Sequence, residues 1–246
     1  MSELFANPPV VLEEVNSTNN YISGHLDQMT EGSVIVAKAQ IAGRGQGKNF
    51  WESEPGLNLT FSVLLTPTFL RIQDQFYLSK VISLAVADFV SLYADNVSVK
   101  WPNDIYIGHK KVSGILIENS VFQDFMQSSI VGIGINVNQT IFRSGAPNPV
   151  SISQLTGETY DLNELLDILL DLIDFRYQML KEHDFDTIDQ LYFDFLYRRN
   201  KLTSFKADDV LFKGTIVGVE PTGELIIRDE AGQMREFLYK EVEYVL

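Results

Sequence analysis

Residues 97–118 read VSVKWPNDIYIGHKKVSGILIE, and this stretch decides the fold. Val97–Trp101, Ile105–Ile107 and Val112–Glu118 are short apolar runs separated by Pro102-Asn103-Asp104 and by Gly108-His109. Strand formers closed by turn residues at such close spacing predict antiparallel hairpins. Ile130–Val137 adds another strand. Upstream, Ser33–Gln40 (SVIVAKAQ) and Leu57–Leu65 (LNLTFSVLL) read as buried strands around a polar, glycine-rich loop, Ile41–Gly56. Arg71–Ala94 carries Ile72, Phe76, Val81, Ile82, Ala85, Phe89 and Leu92 at helical spacing. Asn16–Asn19 can cap a helix running to about Met29. Downstream of a loop at Asn138–Pro149, Leu162–Leu180 has one leucine-rich face opposite its acids, which is core packing, and a second helix follows over 186–199. After Asn200 five short strands and their turns predict a small antiparallel barrel-like unit. The expectation is an α+β chain: a domain over residues 1–200 and a β appendage over 201–246.

Charge narrows the function. The 246-residue chain has 19 basic and 33 acidic residues, a net charge of −14, which on average repels DNA and anionic membranes. Residues 158–194 hold eleven acids and two bases, whereas residues 32–51 hold Lys38, Arg44 and Lys48 and no acid. That window equally suits an anion pocket and three solvated surface cations. With no cysteine there is no thiolate nucleophile or zinc cluster, and the three histidines lie far apart, against a histidine-centred triad. No apolar run approaches the roughly 18–20 residues that span a bilayer. The start has no basic segment leading into an apolar core, so the expected compartment is the cytoplasm.

Four motifs remain. Gly43-Arg44-Gly45-Gln46-Gly47-Lys48 follows a strand, and its glycines let backbone N–H groups approach an anion. It matches neither a dinucleotide fingerprint nor a P-loop, and by itself also suits a flexible hairpin loop. Lys100-Trp101-Pro102-Asn103-Asp104 is a strand end entering a turn; it could place a cation beside a carboxylate, although the residues alone favour Asn103 and Asp104 as turn caps. Lys111-Val112-Ser113-Gly114-Ile115-Leu116-Ile117-Glu118 opens a strand with a lysine, either an exposed turn residue or one aimed at the anion. Gly132-Ile133-Gly134-Ile135-Asn136 puts two glycines into a strand, so something needs the room; Asn136 offers a donor and an acceptor suited to a purine edge. Several cations, close backbone approach and no cysteine or histidine nucleophile fit a site for a phosphorylated or adenylated carboxylate rather than covalent hydrolysis.

In this order, Ser17-Thr18-Asn19, Gln40 with Gly43-Arg44-Gly45, Trp51, Lys100–Asp104, Lys111 with Gly114–Glu118, and Gly132–Asn136 resemble the biotin protein ligases over the whole chain. The resemblance implies a mixed sheet flanked by helices, of the class II aminoacyl-tRNA synthetase and biotin ligase type, followed by an SH3-like barrel. It implies that biotin and ATP form biotinyl-5′-AMP, with magnesium, and that the acyl group passes to a lysine of a biotin carboxyl carrier domain. Carried over, Ser17, Thr18, Asn19, Gln40, Gly45, Gln46 and Gly114 meet biotin. Arg44 and Lys111 hold carboxylate and α-phosphate oxygens as the catalytic pair. Gly43, Lys48, Trp51, Lys100, Asn103 and Asn136 join Arg44 and Gly45 around ATP, with Trp51 covering the adenine and Asn136 at its edge. Asp104 is the candidate magnesium contact. Regulatory members carry a helix-turn-helix before the Ser-Thr-Asn motif; with sixteen residues before Ser17, repressor function and specific DNA binding are expected to be absent. Well-known members hold arginine where Gln46 and Asn49 stand here, which bears on retention of the intermediate. An octanoyl or lipoyl transferase or ligase shares the fold class but lacks this motif combination. A non-catalytic biotin sensor would be favoured only without Arg44 or Lys111. The resemblance implies no particular oligomeric state.

Overall fold

The structure, a computed structural model, describes residues 4–144 and 148–245. The expected loop at 138–149 and the opening segment at 1–10 therefore lie partly outside the described residues. Seven strands build the larger sheet: β1 (Val10–Val15), β2 (Val34–Gln40), β3 (Leu59–Leu65), β4 (Val97–Lys100), β5 (Asp104–Ile107), β6 (Lys110–Phe122) and β7 (Phe125–Ile135). Their order is β1-β2-β3-β7-β6-β5-β4. Only β1 and β2 run parallel; the other neighbours are antiparallel, so the sheet is mixed as expected.

One face of this sheet packs on helices. α1 (Thr18–Ser23) is short and ends at Gly24, so the helix expected to reach Met29 is cut and resumes only as a 3-10 turn, Leu26–Gln28. α2 (Phe76–Ser91) is buried along nearly its whole length, beneath β4 and β5 and against the later helices. α3 (Ile152–Thr156) is held by a capping box, Ser151 with Gln154, and stops at left-handed Gly157. α4 (Leu162–Lys181) buries Leu165, Leu166, Leu169, Leu170, Ile173, Tyr177 and Leu180, the stripe its sequence shows, and α5 (Phe185–Phe195) follows.

The second sheet is antiparallel: β8 (Thr203–Ala207), β9 (Val210–Val219), β10 (Leu225–Asp229), β11 (Met234–Phe237) and β12 (Glu243–Tyr244), in the order β11-β10-β9-β8-β12. It is fastened by its β9–β10 turn. Phe76 N donates to Pro221 O at 3.1 Å, Trp101 Nε1 to Gly223 O at 2.9 Å and the buried Lys80 Nζ to Val219 O at 3.1 Å. Lys80 also meets Asp189 at 2.6 Å; burial alone would drive its pKa down, and the carboxylate opposes that. This seam brings the segment before β12 to the mouth of the larger sheet.

Candidate active site

The floor of the site is a patch of sheet from which side chains have been removed. Gly134 of β7 stands between Thr60 of β3 and Gly114 of β6; two residues along, Gly132 stands between Ser62 and Leu116. Strand residues two apart share a face, so these six form two adjacent rows. Over the first row lies the Trp51 indole: a methyl group at Gly134 would fall 2.3 Å from its Cε2, and one at Gly114 3.2 Å from its Cζ3. Over the second lies Asn19, whose Oδ1 would be 2.3 Å from a methyl group at Gly132. The two strand glycines make room for two side chains, one from α1 and one from the glycine loop.

Above this floor, uncharged donors and acceptors form a network. Ser17, Thr18 and Asn19 are buried. Thr18 N donates to Gln40 Oε1 at 2.8 Å; Ser62 Oγ lies 2.6 Å from both Thr18 Oγ1 and Asn19 Oδ1. Asn19 Nδ2 donates to Glu118 Oε2 at 2.9 Å. Glu118 in turn takes Arg44 through both oxygens, at 3.0 and 2.7 Å, while Arg44 Nη1 also donates to Asn20 Oδ1 at 2.8 Å. The guanidinium has five N–H donors, so Nε–H and one N–H of Nη2 have no partner among the described residues and can grip a second anion.

The other zone is cationic. Lys111 Nζ pairs with Asp104 Oδ1 at 2.6 Å and lies 5.9 Å from the Trp51 ring. Asn103 Nδ2 donates to Ile115 O at 2.6 Å, pinning the turn. Lys100 has no carboxylate within ion-pair distance among the described residues; its ammonium rests on the Tyr106 hydroxyl at 3.2 Å and over the Tyr106 and Tyr244 rings at 5.1 and 5.3 Å. Burial pulls the Lys100 pKa down, with Lys111 and Arg198 adding to that and Asp104 opposing it.

Apart from Asn20, Ser62 and Glu118, which support from behind, these groups line one cavity of about 870 Å³. Its ionised lining residues are Arg44, Lys48, Lys100, Lys111 and Lys240 against Asp104 and Glu243, a net of +3 inside a chain of −14. Of the residues expected at the site, Ser17, Thr18, Asn19, Gln40, Arg44, Gly45, Gln46, Lys48, Trp51, Lys100, Asn103, Asp104, Lys111 and Gly114 all line it. Gly43 and Asn136 do not. A methyl group on Gly43 would strike Trp51 O at 2.5 Å, so that glycine backs the loop. Asn136 is buried and its amide donates to Val150 O at 3.1 Å, because the chain leaving β7 needs that bond to turn into α3. Asp104 is already tied to Lys111, and no group of three or more His, Cys, Asp or Glu able to hold a metal occurs among the described residues.

Residues 11–136 match the biotin/lipoate A/B protein ligase family. The chain belongs to that family. Within it, the bifunctional ligase/repressor BirA of Bacillus spizizenii is 31% identical over 208 residues, 82% of this chain, and the chain spans 63% of that relative's length. The biotin--[acetyl-CoA-carboxylase] ligase of Paracoccus denitrificans is 28% identical over 91% of this chain and 95% of its own. The structure of the biotin protein ligase from Aquifex aeolicus in complex with biotin and ATP superposes with a TM-score of 0.81 at 28% identity, over 97% of this chain and 100% of that one. These relatives sit on the biotin side of the family rather than the lipoate side.

Sequence reasoning missed several lining or supporting residues: Ser62, Asn20, Glu118 as the carboxylate that orients Arg44, and Tyr239, Lys240 and Tyr244 of the second sheet unit. Glu118 ends the motif that begins at Lys111, and its two-residue spacing from Leu116 places it on the site face, which was a usable signal.

Proposed function

We propose that this chain is a biotin protein ligase that makes biotinyl-5′-AMP from biotin and ATP and passes the biotinyl group to a lysine of a biotin carboxyl carrier domain. The observation that carries this is the division of one cavity into an uncharged zone of paired donors and acceptors beside a cationic zone. A neutral urea ring needs both donors and acceptors, which Ser17, Thr18, Asn19 and Gln40 supply; a dithiolane or plain acyl chain needs neither. The cationic zone suits a carboxylate and a polyphosphate that would otherwise repel each other.

In the first step a carboxylate oxygen of biotin bonds to the α-phosphorus, the bond from that phosphorus to the bridging oxygen breaks, and pyrophosphate leaves with that oxygen. Arg44, through its remaining N–H groups, and Lys111 hold the oxygens on which charge builds. Trp51 offers its indole face to the adenine. In the second step the neutral amine of the carrier lysine adds to the acyl carbon, its proton goes to solvent, and AMP leaves with the anhydride oxygen. Asp104, whose Oδ1 meets Lys111, would be the residue to hold magnesium, through its other oxygen; the ion would supply charge that offsets the phosphates. Residues 1–200 form the catalytic unit and residues 201–246 a closing unit. The compartment is the cytoplasm, where ATP is available; no helix among the described residues is long and apolar enough to cross a membrane.

Incubation with ATP, magnesium, biotin and a carrier domain, read by mass, should add one biotinyl group to one lysine. ATP–pyrophosphate exchange should depend on biotin and not on lipoate or octanoate. Exchange driven equally by lipoate or octanoate would overturn the reading in favour of the lipoyl or octanoyl alternative.

A further inference from the structure

The second sheet unit sends one unpaired cation into the cavity. Lys240 lies just before β12, and its ammonium is lodged against Gly47 of the glycine loop: a methyl group at Gly47 would fall 2.6 Å from Lys240 Nζ and 3.4 Å from its Cε. A side chain at Gly47 would displace the lysine tip, and the Gly47 φ of +69° favours glycine there. The Lys240 ammonium lies 5.5 Å from the Tyr239 ring, which packs edge-on at 6.5 Å against Trp101, the neighbour of Lys100. This chain of rings links Lys240 to the Lys100 end of the cavity.

Lys240 is exposed and lines the cavity. It makes no hydrogen bond and no ion pair among the described residues, whereas Arg44 and Lys111 are each already held by a carboxylate. Its left-handed backbone, at φ 73°, belongs to the turn Leu238–Glu241, which Glu241 N closes by donating to Leu238 O at 3.0 Å. A cation at the cavity wall over a glycine loop, with no ion-pair partner among the described residues, is placed for an anion that arrives from outside.

We propose that Lys240 is a polyphosphate contact of this site: with Gly47 beneath it, it closes the glycine loop over the oxygens that depart as pyrophosphate. The inference rests on the adenylation reading above and adds a residue from outside the catalytic unit. It makes the closing unit a participant in the first half-reaction.

The test compares wild type with Lys240→Met, which keeps the stem and removes the charge, and Lys240→Arg, which keeps the charge. In steady-state exchange the KM for ATP should rise about tenfold in Lys240→Met, the low end for losing a contact to a charged group. The increase should shrink at high salt. The affinity for biotin alone should not move, and Lys240→Arg should recover most of the loss. Inorganic pyrophosphate, titrated calorimetrically, should bind wild type about tenfold more tightly than Lys240→Met. Transfer from preformed biotinyl-AMP to a carrier domain should be spared, since no pyrophosphate is then present; equal damage to both half-reactions would mean that Lys240 merely orders the loop, and would overturn the proposal. An unchanged ATP KM and unchanged pyrophosphate binding would overturn it while leaving the adenylation reading standing. A wild-type protein without biotin-dependent exchange would remove both.

Discussion

Replacing Lys100 with methionine should make the protein more stable and a poorer binder of ATP. Lys100 is partly buried, its pKa is pulled down chiefly by burial, and no carboxylate pairs with it among the described residues. Exchanging buried ionic groups for apolar ones of similar volume often stabilises by about 1–4 kcal/mol. Here the ammonium keeps one hydroxyl and two ring faces, and a cation–π contact is worth about 0.5–1 kcal/mol, so the low end applies: about 1 kcal/mol. For a chain of this size that is a rise in Tm of roughly 2–4 °C. A lysine whose folded pKa lies below its usual 10.5 binds its proton more weakly folded than unfolded. Its penalty is fully present below the folded pKa and fades as pH climbs from there towards 10.5. The Tm gap between Lys100→Met and wild type should therefore be widest near neutral pH and narrow in alkaline buffer. On the proposed reading, ATP affinity should drop about tenfold, the loss of one contact to a charged group. Thermal melts across pH and calorimetric titration with ATP check both halves. A variant that melts below wild type at pH 7, or that binds ATP as tightly, would falsify the reasoning.

Arg44→Ala and Lys111→Ala should each cut biotin-dependent pyrophosphate exchange by about 10²–10³, the usual effect of removing one preorganised donor, with little change in Tm because part-exposed ion pairs contribute about 0–1 kcal/mol; exchange near the wild-type rate would remove them from the reacting phosphate. Gly132→Ala should push Asn19 off its place, since the new methyl would sit 2.3 Å from Asn19 Oδ1; biotin affinity should fall more than ATP affinity, and an unchanged biotin Kd would detach Asn19 from the biotin zone. Gln46 Oε1 is buried without a hydrogen-bond partner among the described residues, and a neutral amide holds a phosphate about 1 kcal/mol less well than a charged group. Gln46→Arg should slow release of biotinyl-AMP about fivefold; if it leaves the rate unchanged while Lys48→Ala speeds release, Lys48 carries that charge instead.

What the sequence discloses follows from which contacts are local. The β4–β7 hairpins are readable because each strand has a buried face and a turn residue at each end. β1 is not: Val10 and Val11 are exposed and no residue of the strand is buried, so no alternation marks it. α3 is only five residues long, and its one local mark is the Ser151–Gln154 capping box, which pattern reading passed over. The glycines at 132 and 134 announce that something needs space, but not that Asn19 and Trp51 fill it, because those side chains arrive from more than 80 residues away. Tyr239, Lys240 and Tyr244 are illegible for the same reason, their place being set by the turn that ties Gly223 to Trp101. Asn136 shows the reverse case, a donor and acceptor that suits a purine edge yet is claimed by the backbone of Val150.

The carboxylates of the site explain how a chain of −14 keeps a cationic cavity in working order. Two long cations left free would sample many rotamers, and ordering them on each turnover would cost entropy that the substrate must offset. Glu118 fixes Arg44 through a two-oxygen grip, Asp104 fixes Lys111, and Asn19 ties Glu118 back to the uncharged network that leads to Gln40. Asp104 within the lining and Glu118 behind it each offset a cation, which weakens the pull on the polyphosphate. Lys48, Lys100 and Lys240 restore that pull without ion-pair partners among the described residues. Geometry at the reacting phosphorus and attraction for the phosphates that leave are thereby assigned to different cations. That separation is why the two sets should respond differently to substitution: loss of exchange rate for the paired set, loss of ATP affinity for the unpaired one.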